Sequence, residues 1–164
     1  MLPISFQITA LEHGWLFAEL VSPTENLSFA NSCLWGETLP KAFLRSLIVL
    51  LEANSPSQWL CWHAESHAHI WKMSAHDYQL HLEIYRIDSD IGLPVYGDDL
   101  ADRVRSVMPE QTIDADMHAF ARTACDSFGK YKSGEGQGQW NGSGFGNFFP
   151  TEEYRKLRRL LKGK

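Results

Sequence analysis

Three cysteines in 164 residues, Cys33, Cys61 and Cys125, are too few and too widely spaced for a disulfide framework or a CxxC pair. They read as reduced thiols, mostly packed in the interior as small apolar side chains. The longest strongly apolar stretch, Ala42 to Ala53, is broken by Arg45 and Glu52 and falls short of the ~20 residues that span a bilayer. The first ten residues carry neither positive charge nor a small-residue cleavage pattern, so no secretory signal is expected and a cytoplasmic protein is. Internal repeats are missing. So are the GxxxxGKS/T phosphate loop, the GxGxxG dinucleotide fingerprint, the HExxH zinc helix and the GxSxG nucleophile elbow. Ser32, Ser46 and Ser74 lack a nucleophile context, Cys61 and His63 lack a third orienting group, and nothing fixes the separation of Glu65 and Glu83. The chain is therefore read as a binding protein rather than an enzyme, with no cofactor.

Apolar residues make up 44% of the sequence and charged residues 21%, a balance that supports one globular domain over residues 1–164. Residues 1–90 form a strand-rich half. Ile4, Phe6 and Ile8 alternate with polar residues, a turn at Glu12-His13-Gly14 leads to an aromatic run from Trp15 to Val21, and alternation resumes from Leu27 to Cys33. Thr38 and Pro40 then open a helix in which Phe43, Leu44, Leu47, Ile48, Leu50 and Leu51 recur at helical spacing until Asn54 and Pro56. Strand-like runs follow at 58–64, 68–74 and 78–87. Residues 91–164 form a helical half, with a short helix from Asp98 to Met108 and a stronger one from about Asp114 to Gly129. A flexible loop of six glycines is expected at 133–148, and a last helix from Thr151 with Glu152 and Glu153 at its positive end. The expected fold is α+β: one domain with an antiparallel sheet of about six strands and helices on one side.

Five of the seven histidines lie between His63 and His81, and His67, His69 and His81 offer a possible three-nitrogen set, the basis of an alternative reading as a metal-binding or small-ligand enzyme. No carboxylate or cysteine completes a familiar zinc spacing, so no metal is expected. Charge is more informative. Between Asp77 and Asp116 ten acidic residues face three basic ones, while residues 150–164 carry six basic residues and two acidic. An acidic stretch repels nucleic acid and steers a basic protein partner to encounter. Direct nucleic-acid binding and membrane association are not expected. Asp88, Asp90, Asp98, Asp99 and Asp102 are the candidate contact residues. Trp140, aromatic on a polar loop, is added as an anchor, although it also reads as a side chain pinning that loop to the core.

His13-Gly14-Trp15 opening the second strand, Ser32-Cys33 closing the third and the apolar helix from Leu44 to Leu51 form a succession with Trp62-His63-Ala64-Glu65, Trp71, Tyr131, Trp140 and Phe149-Pro150. It resembles the immunity proteins of bacterial polymorphic and type VI secretion toxins. The resemblance implies a cytosolic antitoxin that binds a cognate secreted toxin and occludes its active site. Acidity points to a nuclease as that toxin, because a nuclease cleft is basic. A subunit adapting some other assembly is the remaining alternative.

Overall fold

The computed structural model describes residues 3–36, 38–53, 57–89, 91–145 and 149–163. Seven strands lie among them in two antiparallel sheets. The first sheet is the meander β1 (Ser5–Glu12), β2 (Trp15–Val21) and β3 (Asn26–Ser32). His13 and Gly14 both take positive φ in the two-residue turn between β1 and β2, the geometry that matches strand twist in a hairpin. After the four-residue α1 (Cys33–Gly36) comes α2 (Leu39–Glu52), with Thr38 at its N-cap and Pro40 in its first turn. The second sheet runs β4 (Gln58–His63), β5 (Ala68–His76), β6 (Gln79–Ile87) and β7 (Gln111–Asp116) in spatial order. Between β6 and β7 lies α3 (Asp99–Arg103); α4 (Met117–Gly129), α5 (Gly134–Gly142) and α6 (Thr151–Lys162) complete the chain.

The α+β class read from the sequence is the one observed, but the single sheet expected is split into two, of three and four strands, and three further details differ. The strand β7 replaces the first turn of the helix expected from Asp114. Thr112, Asp114 and Asp116 point to solvent while Ile113 and Ala115 face inward, a period of two that the run of carboxylates obscures. Asp116 then ends the strand and caps α4, its side chain accepting the Ala119 N–H at 2.6 Å. The second difference is α5, which forms where a flexible loop is expected. Glycine inside a helix costs about 1 kcal/mol relative to alanine, so propensity argues against it. Burial decides otherwise: Trp140 is 1% exposed and packs on Phe128, Tyr131, Phe145 and Phe149. Gly136 passes so close to the Lys130 carbonyl that a Cβ there would lie 1.8 Å from the oxygen, so no other residue fits. The third concerns layers: α3 sits on the opposite face of the second sheet from the main core.

That main core joins Phe6, Leu16, Leu20 and Phe29 of the first sheet, Leu60, Trp62, Trp71 and Leu82 of the second, and the apolar faces of α2, α4 and α6. Buried Glu153 ties α6 to α2 by taking Arg45 at 3.1 Å and Lys41 at 3.8 Å on one carboxylate oxygen. The open edge of β1 is closed by a helix rather than a strand. Phe6 N–H donates to Thr123 Oγ1 at 3.0 Å, and Ile8 N–H donates to Ser127 Oγ at 2.7 Å. Two residues of strand advance about 6.8 Å and four of helix about 6 Å, so hydroxyls at i and i+4 of α4 meet alternate amides of β1.

Removing either acceptor strands a buried N–H, which costs about 1–3 kcal/mol. Ser127→Ala is expected to lower unfolding stability by that amount. Thr123→Val, at a half-buried position, is expected to cost less, and both are read from urea denaturation midpoints.

Candidate functional site

The connection from β6 to β7 carries most of the candidate contact residues, and its own apolar side chains hold it on the sheet. Leu100 and Val104 bury against Cys61, Ala68, Ile70 and Tyr85 on the outer face of β4, β5 and β6, with Leu93 and Val107 packed around them. Backbone bonds add to this: Cys61 N–H donates to Val95 O at 2.8 Å and Gly97 N–H to Trp59 O at 3.2 Å, so residues 95–97 line the outer edge of β4 like a short extra strand. Beneath them Tyr85 donates its hydroxyl to Glu83 at 2.9 Å, and the Lys72 ammonium contacts the same carboxylate. Burial would raise the Glu83 pKa, but the bonds from Lys72 and Tyr85 outweigh it and hold the group below its usual range. Burial, with the Glu83 acceptor, pushes the Tyr85 phenol up to about 12.

Asp98, Asp99 and Asp102 stand exposed at the start of this platform. Asp102 pairs with Arg105, and Asp88 lies 3.5 Å from Arg86, so two of the sequence-derived candidates are locally neutralised. Asp98 and Asp99 make no ion pair among the described residues. Asp90 lies outside the described residues. Trp140 is removed from the contact set, because its side chain is enclosed by core aromatics and presents nothing to a partner. In its place the connection exposes large apolar side chains that composition gave no reason to single out: Ile91 at 86%, Tyr96 at 58% and Met108 at 83%. Exposed apolar side chains of this size, interleaved with carboxylates on a rigid support, have the makings of a protein interface. Beside them lies a groove of about 390 Å³ between α2 and the connection, lined by Lys41, Arg45, Ser46, Trp59, Tyr96 and Asp98.

The histidine strands do not converge. Register places His69 opposite Trp62 and Arg86, whereas His81 lies opposite Ser74 and Asp114, further along the ladder. His67 and His69 pack ring to ring at 5.1 Å, but His81 turns its Nδ1 to Asp114 at 2.7 Å. The three-nitrogen set is thus broken by the pairing, and no group of three metal-ligating side chains occurs among the described residues. The row Ser74, His81 and Asp114 has the order of nucleophile, base and orienting acid, lining a hollow of about 270 Å³. Only the His81–Asp114 half is hydrogen-bonded, so His81 is oriented without being coupled to Ser74. Cys125 is buried and its thiol is pushed up to about 11, chiefly by desolvation, which keeps it inert.

No known protein family, curated protein or solved structure matches the chain.

His69 provides a pH test of this sheet. Desolvation, then His67 and Arg86, lower its pKa from 6.5 to about 4. The unfolded chain therefore takes up the proton first as pH falls, so stability is full above about pH 6.5 and is lost between pH 6.5 and 4. Relative to a His69→Gln variant, the protein is expected to lose on the order of 2 kcal/mol between pH 7 and 4.5. Equal slopes for the two proteins in urea titrations at pH 7.5, 5.5 and 4.5 would show that His69 carries no such penalty.

Proposed function

We propose that this protein is a cytoplasmic immunity protein that binds a secreted toxin and blocks its active site, with the β6–β7 connection as its contact surface. The observation that carries the reading is the pairing, on one anchored segment, of unneutralised Asp98 and Asp99 with exposed Ile91, Tyr96 and Met108. Carboxylates draw a basic cleft into encounter and set register, whereas apolar side chains supply the energy that holds a complex once formed. A nuclease is the toxin class with the best electrostatic match, since a cleft built for phosphates accepts carboxylates in their place. The groove between α2 and Tyr96 offers a socket for a side chain of the partner at the border of this surface.

The division of labour is testable. Co-expression with the cognate toxin is expected to restore growth, and capture of the tagged protein to yield one stoichiometric partner with a basic catalytic domain. Asp98→Lys with Asp99→Lys should slow association at least tenfold at low salt and much less at 0.5 M, where charges are screened within about 4–5 Å. Tyr96→Ala should instead speed dissociation, by about 30-fold if the ring is a 2 kcal/mol anchor. Unchanged binding in both variants would place the interface elsewhere, and a captured partner with no toxicity would replace the immunity reading with that of an adaptor.

A further inference from the structure

The basic residues of α6 do not meet the acidic surface of the chain. Among the described residues only Lys156 of that helix has a counter-ion, Glu52 at 2.8 Å. Arg155, Arg158, Arg159 and Lys162 recur at i, i+3, i+4 and i+7 and so share one face of the helix. The turn after α4 adds Lys132, whose ammonium sits 5.4 Å over the ring of Tyr154. Together they line a concavity of about 380 Å³ that contains no acidic side chain. None of these five cations forms an ion pair among the described residues. Two like-charge pairs, Arg155–Arg159 and Arg158–Lys162, stand at i, i+4, where each is destabilising by about 0.2–0.5 kcal/mol. The helix dipole explains cations in the last turn, where Arg159 and Lys162 lie. It explains neither Arg155, a turn earlier, nor the convergence of Lys132 from another segment.

We infer that this concavity is a binding site for the phosphodiester backbone of nucleic acid, engaged without sequence preference. Arginine predominates, and its planar fork takes two phosphate oxygens at once. From Arg155 to Lys162 the helix rises about 10.5 Å, the axial span of about three nucleotides at 3.4 Å each. Tyr154 is buried under the cations, so no ring is offered for base stacking and the contact is to the backbone. A membrane surface fits less well, because Tyr154, Leu157 and Leu161, the apolar side of α6, are already buried in the protein. The net charge of −5 does not forbid a local site: exposed charges more than a Debye length away, about 8 Å at physiological salt, are largely screened. This site is separate from the toxin-binding surface, and its test does not depend on any toxin.

The probe is a fluorescein-labelled 20-nucleotide DNA duplex, followed by anisotropy between 50 and 200 mM salt. With four or so phosphate contacts the slope of log K against log salt should be about −3.6 and affinity should fall about 10²-fold over that range. Arg155→Gln with Arg159→Gln, both exposed, should flatten the slope by nearly 2, whereas Lys156→Gln, on the same helix but outside the concavity, should leave it unchanged. Circular dichroism melts check that each variant is folded, and Lys132→Gln with Lys162→Gln serves as a second pair from the rim. Absence of binding at 50 mM salt would overturn the inference, as would a double variant that binds like the parent. So would equally tight binding to poly-glutamate or phosphatidylserine vesicles, which would reassign the surface to an acidic protein or a membrane.

Discussion

One aromatic junction joins the two sheets to the helices. Trp62 on β4 and Trp71 on β5 lie side by side with ring centroids 5.0 Å apart, and three further elements send a ring onto the pair: Phe6 from β1 at 6.2 Å, Phe29 from β3 at 4.7 Å and Phe43 from α2 at 6.1 Å. Phe120 and Phe128 of α4 close on Phe43 from the other side. Such pairs contribute about 0.5–1.5 kcal/mol each beyond area burial, but their larger effect is geometric. Edge-to-face contacts such as Phe29 on Trp71 tolerate few alternative packings, so one junction sets how the first sheet, the second sheet and α2 stand to one another. The indole N–H groups of Trp62 and Trp71 find no acceptor among the described residues. The rings are placed for packing, at the expense of their polar edges.

Because this junction uses the inner face of the second sheet, the outer face is left to the long β6–β7 connection. Leu100 and Val104 fill the small outer core, and the residues between and beside them are consequently turned outward. That arrangement explains how a segment rich in Gly, Pro and Asp can be both anchored and exposed. The same sheet separates the chain's chemistry: the acidic connection lies along its outer face and the edge of β4, while the cations without an ion pair among the described residues gather on α6, which packs on α2 and α4.

The sequence was most legible where burial follows one clear period. Strands β1 to β6 and helices α2 and α6 lie close to where alternation, caps and prolines put them. Legibility failed where a tertiary contact overrode local preference. Six glycines from 134 to 146 read as a loop, yet a single residue, Trp140, repays the helix by filling a hollow lined by distant aromatics. The carboxylates of β7 masked a strand because its apolar positions are only Ile113 and Ala115. In the contact surface, charge was legible and its neutralisation was not. Asp102 and Asp88 lose weight to Arg105 and Arg86, while Ile91, Tyr96 and Met108 count only because folding leaves them outside.

The hydroxyls that close β1 come from far along the chain, 117 and 119 residues after the amides they accept. At a synthesis rate of about 5–20 residues per second, the ribosome needs about 6–24 s to deliver α4 after β1 has emerged. Throughout that interval the meander β1–β3 can form and α2 can bring Phe43 against Phe6, but the edge amides of Phe6 and Ile8 lack the α4 hydroxyls that accept from them. The nascent chain thus passes through a stage in which its first sheet is complete in pairing and incomplete in shelter, the kind of intermediate on which a holdase chaperone acts. The structure that ends with a quiet edge begins with an adhesive one.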